Sequence, residues 1–498
     1  MTAQNMIKRS KNRIYIVGAG FTGTTLAKEI HSKKIFGRVV AFLDDNRKKI
    51  GNKINGIPVL GPLDAVIEIL KTNPADEAII AIPSATKEQL KRIYSILKRA
   101  EFSKIRIVPR VSQILEDEAH LIQAREINPE DLLARMPVKV NLKESLSYLR
   151  GKRVLVTGAG GSIGSELSRQ LLSGGAERLY LFGHGENSIY EIERELKLLQ
   201  EEGIGEKATI VPIIGELQDR DYVMFLIKRL KANVVFHTAA HKHVPLLEAN
   251  PVEAVKNNVF GTRNIVDASR EAGIERFVFI STDKAVEPSN VYGASKLIAE
   301  EIVLNEGKNG KNFLVVRFGN VLGSRGSILP LFQKQIAKGG PVTITHEAVK
   351  RFFMTIPEAA SLVLKAGGVG SGGTLYLLDM GDPVSIKELA EQMIRFYGYE
   401  PEKEIKLKIT GLRPGEKLSE KLWTKEETPY PTESNKILEL HREKLLINGN
   451  LKPLIEKLSP VCFFDENKPD VFRNRKYLKK ILKEAIPGIQ IHSNEPEY

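Results

Sequence analysis

The chain has 498 residues, of which 42% are hydrophobic and 27% charged, a composition typical of a soluble globular protein and not of a disordered or collagen-like chain. Its 74 basic and 61 acidic residues give a formal net charge of +13, which favours phosphate-bearing ligands or an acidic membrane surface and does not by itself argue for nucleic acid. The one cysteine, Cys462, excludes an internal disulfide framework, and no stretch reaches the roughly 18 uncharged apolar residues of a membrane span. We therefore expect a cytoplasmic protein, with peripheral association at the inner face of the membrane as an alternative.

The first predicted element is an apolar strand over residues 13–17 that runs into a glycine-rich turn. Gly18, Gly20 and Gly23 form the pattern GxGxxG before a predicted helix, and Asp44 ends the next strand. Later strands are predicted at Val39–Leu43, Glu77–Ile82 and Ile105–Val108. Strands that alternate with helices predict a parallel sheet, and the glycine pattern followed by Asp44 predicts a nucleotide site in a domain of residues 1–130.

Residues 131–150 are predicted to connect this domain to a second unit that begins with the same pattern. The segment at 127–138 (INPEDLLARMPV) is neither low-complexity nor glycine-rich, so we expect an ordered connector. After the strand Arg153–Val156, Gly158 would permit a tight turn, Gly161 would let the backbone approach a pyrophosphate, and Gly164 would let helix and strand pack closely.

The second unit is predicted to continue as a parallel sheet over residues 151–425. Its later strands are predicted at Leu179–Phe182, Thr209–Ile213, Val234–His237, Phe277–Ser281 and Phe313–Phe318. Past about residue 320 the alternation weakens, which predicts a smaller mixed subdomain. Residues 426–498 are charged and are predicted to form a partly helical, irregular tail.

Tyr292 and Lys296 lie four residues apart in VYGASK on a predicted helix, so their side chains share one face. A lysine ammonium beside a tyrosine favours the phenolate. Such a phenolate can accept the proton of a sugar hydroxyl while hydride leaves the same carbon for a nicotinamide. The pair follows the second glycine turn within one α/β unit, so chance is a poor explanation for it.

The second unit resembles the extended short-chain dehydrogenases/reductases and, more narrowly, the bacterial UDP-N-acetylglucosamine 4,6-dehydratases of capsule, exopolysaccharide and glycan biosynthesis. The segments that carry this resemblance, from about residue 150 to 425, are TGAGGSIGSEL (157–167), HTAAHKHVPLLEANP (237–251), NNVFGT (257–262), STDKAVEPSNVYGASK (281–296), RFGNVLGSRGS (317–327), RFFMTIPEA (351–359), LDMGDPV (378–384) and GLRPGEKL (411–418). The expected fold is α/β, with two Rossmann-like doubly wound parallel-sheet domains, the second carrying a smaller mixed α/β substrate-binding subdomain. Many long family members carry methionine at the position of Tyr292, so this chain combines their length with the tyrosine of the short members.

The resemblance implies a role for each residue of the Thr282-Asp283-Lys284 segment. Oxidation at sugar C4 acidifies the C5 proton, Lys284 removes that proton as a base, and Asp283 protonates the departing C6 hydroxyl. Thr282 is expected to hydrogen-bond the substrate or relay a proton. Burial near Lys296 is expected to lower the pKa of Lys284, and burial favours a protonated Asp283. The two groups titrate as a pair, so their roles could be exchanged.

NAD is the expected cofactor and NADP stays an alternative. Gly183 occupies a position where relatives carry an acid, Glu186 is the nearest acid, and no arginine stands ready for a 2′-phosphate. The candidate cofactor-binding residues are Gly158, Gly161, Ser162, Ile163, Gly164, Glu186, Glu216, Leu217, Ala239, Ala240, Lys242, Tyr292 and Lys296.

The expected substrate is a UDP-sugar, whose pyrophosphate basic side chains would neutralise. The basic candidates are Lys242, Arg317, Arg325, Arg351 and Arg413. The resemblance supports Arg325, Arg351 and Arg413, together with Asn320 and Glu416. We expect no metal site from His237, His241 and His243, because no carboxylate completes a ligand set.

These patterns predict an enzyme that converts UDP-N-acetylglucosamine to a UDP-4-keto-6-deoxy-hexosamine with inversion at C5. Two alternatives stay open: a C4 epimerase on the same fold, and a non-catalytic nucleotide-sensing protein of a glycan assembly complex. The resemblance further implies a homo-oligomer. It also implies a nucleotide-sensing or structural role for the first domain.

Overall fold

The computed structural model describes residues 12–33, 37–82, 84–108, 125–126, 146–205, 207–397, 399–434, 436–486 and 488–489. The chain divides into two compact units, Met1–Met136 and Pro137–Tyr498. The predicted connector segment 127–138 lies outside the described residues. Within the described part of the chain, no helix is long and apolar enough to cross a membrane.

The first unit is built on one sheet with helices between its strands. Its described strands are β1 (Arg13–Val17), β2 (Arg38–Leu43), β3 (Lys53–Ile54), β4 (Ile57–Gly61), β5 (Glu77–Ile80), β6 (Lys104–Ile107) and β7 (Arg125–Glu126), and its described helices are α1 (Phe21–Lys33), α2 (Val66–Thr72) and α3 (Lys87–Arg99). The order is β3-β4-β2-β1-β5-β6-β7, parallel from β4 to β6 with an antiparallel strand at each edge. The central strand β1 is buried over Ile14–Val17, as expected for a parallel strand covered on both faces.

The second unit contains a longer sheet and three small two-stranded sheets. Its described strands are β8 (Arg153–Thr157), β9 (Arg178–Gly183), β10 (Thr209–Ile214), β11 (Val234–His237), β12 (Arg276–Thr282), β13 (Phe313–Phe318), β14 (Asn320–Val321), β15 (Val342–Ile344), β16 (Lys350–Arg351), β17 (Phe353–Met354), β18 (Leu375–Leu378), β19 (Val384–Ser385), β20 (Leu407–Ile409), β21 (Thr428–Pro431) and β22 (Ile437–His441). Its described helices are α4 (Ser162–Ser173), α5 (Glu186–Glu201), α6 (Arg220–Leu230), α7 (Val244–Ala249), α8 (Pro251–Val255), α9 (Gly261–Glu271), α10 (Val291–Lys308), α11 (Ile328–Ala337), α12 (Ile356–Val369), α13 (Ile386–Phe396), α14 (Leu451–Cys462) and α15 (Arg475–Ala485).

The main sheet of the second unit runs β10-β9-β8-β11-β12-β13-β18-β22-β21 and is parallel as far as β18. Alternate residues of each strand enter different cores, because successive side chains point to opposite faces. Val154 and Val156 pack with α4, α5 and α12 on one face, whereas Leu155 and Phe279 pack with α9 and α10 on the other. The predicted α/β class is confirmed. Because strands β8 to β13 are parallel, their C-terminal ends lie along one edge of the sheet.

The C-terminal region differs from the predicted tail. Strands β22 and β21 extend the main sheet antiparallel to β18, and α14 and α15 contribute Leu458, Val461 and Leu482 to the core around α10. The segment is a weak strand signal in the sequence, because β22 is short and carries the charged Glu439 between its buried residues Ile437 and Leu440. Residues 428–486 are therefore an integral part of the second unit.

Candidate active site

The second glycine turn forms a tight cradle between β8 and α4. Gly158 has a φ of +69°, and a Cβ there would lie 2.8 Å from the backbone nitrogen of Ala239. A Cβ on Gly164 would lie 2.2 Å from the carbonyl oxygen of Gly158, so only glycine lets α4 pack this close to the strand. Ser162 and Ile163 begin α4 and present its first backbone amides. This space and this helix end fit the pyrophosphate of a dinucleotide.

The other candidate cofactor residues lie at the C-terminal ends of neighbouring strands. Glu186 is the exposed first residue of α5 after β9, and Glu216 and Leu217 follow β10. Leu217 is buried, and its carbonyl accepts a hydrogen bond of 2.9 Å from Asn264. Ala239, Ala240 and the exposed Lys242 follow β11. These residues surround the edge of the sheet at which α/β folds place their ligands.

Arg325 lies against the glycine turn. Its backbone amide donates to Ser162 Oγ (3.1 Å), and its guanidinium donates to the carbonyl of Gly160 (3.0 Å) and to Glu191 (2.8 Å). The side chain is largely exposed. The structure therefore brings this predicted substrate residue to the phosphate side of the cofactor cradle.

The Thr282-Asp283-Lys284 segment forms one helical turn at the end of β12. Lys284 Nζ donates to Asp283 Oδ1 over 2.9 Å, and Thr282 Oγ1 donates to the same oxygen over 3.0 Å. Asp283 is fully buried, and its Oδ2 has no hydrogen-bond partner among the described residues. Asn320 Oδ1 lies 3.4 Å from Lys284 Nζ, so this predicted substrate residue borders the pair.

Helix α10 carries Tyr292 past this turn. A Cβ on Gly293 would lie 2.1 Å from the carbonyl oxygen of Lys284, so the glycine of VYGASK lets the helix approach the segment. Burial raises the pKa of Tyr292 to about 12, although the Lys284 ammonium and a hydrogen bond with Thr282 act in the opposite direction. The cation that favours the phenolate in this structure is therefore Lys284.

Lys296 differs from its predicted role beside the tyrosine. Its Nζ donates to the carbonyl of Ile280 over 2.7 Å and lies 3.8 Å from the ring centroid of Phe279. Burial lowers the pKa of Lys296 to about 7. Its amine is therefore held against β12 and the aromatic ring.

The expected fall in the pKa of Lys284 is wrong for this structure. Burial alone would lower the pKa, but the carboxylates of Asp283 and Glu420 outweigh it and raise the pKa above the ordinary value. Glu420 Oε1 lies 3.8 Å from Lys284 Nζ. The Lys284 amine is therefore held as an ammonium, whereas its assigned role as the C5 base requires the neutral amine.

The predicted substrate residues Arg351, Arg413 and Glu416 lie together. Glu416 Oε1 is 3.4 Å from a guanidinium nitrogen of Arg351 and accepts from Thr345 Oγ1 over 3.0 Å. Its other oxygen is 3.4 Å from Arg413 Nε. Arg351 is largely buried, whereas Arg413 is exposed and available to an anion. The cluster suits a diphosphate that approaches from solvent.

Arg317 does not belong to this surface, which corrects its prediction as a pyrophosphate ligand. Its fully buried guanidinium forms paired hydrogen bonds of 2.8–3.1 Å with Glu300 of α10 and Glu427 before β21. All six residues of β13 are buried. Arg317 therefore joins the sheet to α10 and the C-terminal strands.

His237 is a core residue whose two ring nitrogens are both hydrogen-bonded. Nδ1 lies 2.7 Å from Thr157 Oγ1 and Nε2 lies 3.0 Å from Thr262 Oγ1, and burial lowers the pKa of His237 to about 3. Within the described residues, no group of three or more histidine, cysteine or acidic side chains is arranged to hold a metal ion.

The first unit has its own cavity of about 380 Å³ beside Gly18 and Gly20. A Cβ on Gly23 would lie 1.9 Å from the carbonyl oxygen of Gly18, so α1 packs closely on the turn. Asp44 Oδ2 accepts from the backbone of Ala19 (2.8 Å) and from Lys49 (2.9 Å). The Asp44 carboxylate, predicted to belong to a nucleotide site, therefore forms hydrogen bonds that hold the turn.

Sequence reasoning missed Glu420 and Asn258. Glu420 comes two residues after the segment GLRPGEKL, and its only signal was that proximity. Asn258 lies within NNVFGT; it donates to Ser295 Oγ on α10 (3.0 Å) and exchanges hydrogen bonds with the backbone of His241. It thereby fixes the loop after β11 against the helix that carries Tyr292.

Comparisons with known proteins relate both units to described protein families. A family model described as "Polysaccharide biosynthesis protein" matches residues 154–442, and one described as "CoA-binding domain" matches residues 1–109. The chain is 45% identical over 420 residues to a Bacillus subtilis protein named "Probable polysaccharide biosynthesis protein EpsC", covering 84% of this chain and 69% of the relative. It is 33% identical over 276 residues to a Campylobacter jejuni "UDP-N-acetylglucosamine 4,6-dehydratase (inverting)", covering 54% of this chain and 77% of the relative.

A solved structure shares the fold of the second unit. The X-ray structure of Pen from Bacillus thuringiensis superposes with a TM-score of 0.53 at 33% identity, covering 59% of this chain and 88% of that one. The family model spans more than half of the chain, and the relative from B. subtilis is matched over most of its length. The chain therefore belongs to the polysaccharide biosynthesis protein family.

Proposed function

We propose that the protein is a nucleotide-sugar 4,6-dehydratase that converts UDP-N-acetylglucosamine to a UDP-4-keto-6-deoxy-hexosamine with inversion at C5. The observation that carries the proposal is the buried contact of 2.9 Å between Lys284 and Asp283, next to Tyr292. Oxidation at C4 needs only a base for the hydroxyl proton. An acid–amine pair beside that base supplies what elimination needs in addition. The name of the C. jejuni relative supports this reaction.

NAD is the proposed cofactor, and its pyrophosphate would be held by the turn from Gly158 to Gly164 and the start of α4. A bound NAD would supply the hydride acceptor for sugar C4 and the hydride donor for C6. Tyr292, once ionised beside the Lys284 ammonium, takes the proton of the C4 hydroxyl as the ketone forms. The Gly158 and Gly164 positions fit the group because any side chain there would fill the cradle or push α4 off the strand. Glu186 is the proposed partner of the ribose, which favours NAD over NADP.

Elimination is proposed to run through the Asp283–Lys284 couple. A proton passes from Lys284 to Asp283 along their hydrogen bond, which leaves a neutral amine and a carboxylic acid. The amine then takes the C5 proton while the acid protonates the C6 hydroxyl, which departs as water. With hydride from the cofactor restored at C6 and a proton returned to C5, the sugar would lose one water with no net oxidation. Thr282, which donates to Asp283, orients the acid.

The UDP group is proposed to lie on the Arg351–Arg413–Glu416 cluster, with Asn320 next to the sugar and Lys242 at the cofactor side. Arg413 is the exposed cation of the cluster, and Glu416 holds its guanidinium in place. Arg325 is proposed to contact the diphosphate from the glycine turn. We also propose a homo-oligomer, from the family resemblance, and peripheral membrane association, from the net positive charge.

The product of a simple incubation tests this function. The purified chain is given UDP-N-acetylglucosamine and NAD in deuterated water, and the product is weighed by mass spectrometry. We expect a UDP-sugar lighter by one water that carries deuterium at C5, and Asp283→Asn should abolish it. A product of unchanged mass would refute dehydration and indicate C4 epimerisation. Tight UDP-sugar binding without turnover would instead indicate a nucleotide-sensing protein.

We also propose that the first unit binds a nucleotide-type ligand. The match of residues 1–109 to a CoA-binding family model and the cavity beside Gly18 and Gly20 support this. Titration of the full chain with coenzyme A should show saturable binding that Lys49→Ala weakens, because Lys49 lines the cavity. Lys48→Ala, an exposed neighbour, should leave it unchanged. Binding that is insensitive to Lys49→Ala would contradict this site.

A further inference from the structure

Glu420 reaches the Asp283–Lys284 couple because the segment 411–420 is docked on residues 286–290, which follow that couple in the sequence. Ser289 Oγ and Asn290 Nδ2 each donate to the carbonyl of Gly415 over 2.9 Å. Lys417 Nζ donates to the carbonyls of Val286 (3.0 Å) and Glu287 (2.6 Å). These contacts fix the segment against the turn and place the next carboxylate inside the site.

The Glu420 side chain is only 5% exposed, and its two oxygens have different surroundings. Oε1 lies 3.8 Å from Lys284 Nζ. Oε2 is buried, has no hydrogen-bond partner among the described residues, and lies 3.9 Å from Lys417 Nζ. A buried carboxylate with so few hydrogen bonds depends on nearby cations for its charge. Lys417 is already engaged by two carbonyls, so Lys284 is the cation that Oε1 faces.

We propose that Glu420 is a positioning residue that, together with Asp283, holds the proton on Lys284 and so sets the pH at which Lys284 becomes a neutral base. The role in catalysis rests on the proposed dehydratase function. Three titratable groups among the described residues face the Lys284 amine: Asp283 from its own turn, Tyr292 from α10, and Glu420 from the docked segment. Lys417 Nζ lies 3.9 Å from the other oxygen of Glu420. Removing the charge of Glu420 leaves Asp283 as the one described carboxylate in contact with Lys284.

An opposite charge at this distance changes a pKa by about 1 to 3 units. Glu420 favours the ammonium, so its neutralisation lowers the pKa of Lys284. A drop of about one unit multiplies the neutral fraction of the amine by about ten below the pKa. The rate of any step that needs the free amine should then begin to rise at a lower pH.

Competitive acetylation tests the pairing without turnover. Wild type, Glu420→Gln, Glu420→Asp and the control Glu426→Gln are treated with acetic anhydride at one mildly alkaline pH. Acetylation of Lys284 is then compared with that of the exposed Lys228 by peptide mass spectrometry. We expect the ratio to rise about tenfold or more in Glu420→Gln, to stay near wild type in Glu420→Asp, and to be unchanged in Glu426→Gln, whose side chain is exposed a little further along the chain.

The pH dependence of C5 deuterium uptake supplies the second readout. Its ascending limb should move to lower pH by about one unit or more in Glu420→Gln and be restored by Glu420→Asp. A folded Glu420→Gln protein with wild-type Lys284 reactivity and an unshifted limb would overturn the proposal. If the wild-type protein forms no dehydrated sugar, only the proposed dehydratase function is refuted. The acetylation ratio tests the pairing of Glu420 with Lys284 without turnover.

Discussion

Replacing Lys284 by methionine should affect stability and chemistry separately. The ammonium lies 2.9 Å from Asp283 Oδ1 and 3.8 Å from Glu420 Oε1. At an effective dielectric constant of about 20 these distances correspond to gross attractions of about 6 and about 4 kcal/mol. Methionine keeps the volume but leaves two buried carboxylates without this cation. Breaking a buried pair in this way costs about 3–5 kcal/mol, until one carboxyl takes up a proton.

The sign of the pH dependence follows from that proton. Without Lys284, the folded-state pKa of the carboxyl pair rises above its unfolded value, so the folded protein binds the proton more tightly than the unfolded chain does. The destabilisation should therefore be full at neutral pH and shrink as the pH falls through the raised pKa. Urea denaturation of Lys284→Met and of the exposed-site control Lys425→Met, at neutral and mildly acidic pH, measures this difference.

The chemical effect is expected to be largest on elimination. Loss of a positioned base lowers the dehydration rate by about 10²–10⁴-fold. Oxidation at C4, read as the absorbance of bound reduced nicotinamide after addition of substrate, should be slowed less than elimination, because the variant keeps Tyr292 but loses the ammonium that favours its phenolate. A Lys284→Met protein with wild-type stability at neutral pH and wild-type product formation would refute both the charge pairing and the assigned role.

Three further predictions concern residues outside that couple. Arg317→Met should destabilise the protein by about 3–5 kcal/mol in urea, because buried Glu300 loses this cation and Glu427 keeps only the more distant Arg442, at 3.5 Å. UDP binding by the folded fraction should be unchanged, and a stable variant that has lost UDP binding would restore Arg317 as a phosphate ligand. Gly164→Ala should weaken NAD binding, measured by titration, because its Cβ would meet the Gly158 carbonyl at 2.2 Å, and undiminished affinity would argue against the cradle. Lys296 has a folded pKa of about 7 against about 10.4 in the unfolded chain, so the unfolded chain binds more protons between these values and this lysine makes stability rise with pH there. Urea titrations should show a shallower rise in Lys296→Met, and an unchanged slope would contradict the burial of the free amine.

The sequence predicted the parts of the fold that depend on local pattern. Short apolar runs between helices predicted the parallel strands, with ends within one or two residues of those observed. Glycines at fixed spacing predicted the turn after β8, since steric requirements at Gly158 and Gly164 are local. Tyr292 and the Asp283–Lys284 segment were predicted to share one site because strand ends converge at one edge of a parallel sheet. The structure places them together.

Long-range pairing could not be predicted in the same way. Arg317 and Arg351 are each followed by a phenylalanine, so their sequence neighbours do not distinguish them. Only tertiary contacts show that two glutamates pair with Arg317. One local signal for Arg317 existed: it stands within the apolar run FLVVRF, where a buried strand can keep a charge only if the charge is paired. Glu420 gave no such signal. Its partner Lys284 lies far away in sequence, and the loop contacts that bring them together depend on Gly415 and Lys417.

The docked segment 411–420 links substrate binding to the charge of the base. It carries Arg413 and Glu416, proposed to hold the UDP group, and also Glu420, which faces Lys284. Transfer of the proton from Lys284 to Asp283 converts an ion pair into a neutral pair, and this is favoured when bound sugar displaces water from the site. Glu420 opposes the transfer by stabilising the ammonium. A shift of the segment when UDP binds would therefore change the distance from Glu420 to Lys284 and, with it, the readiness of the amine to accept the C5 proton.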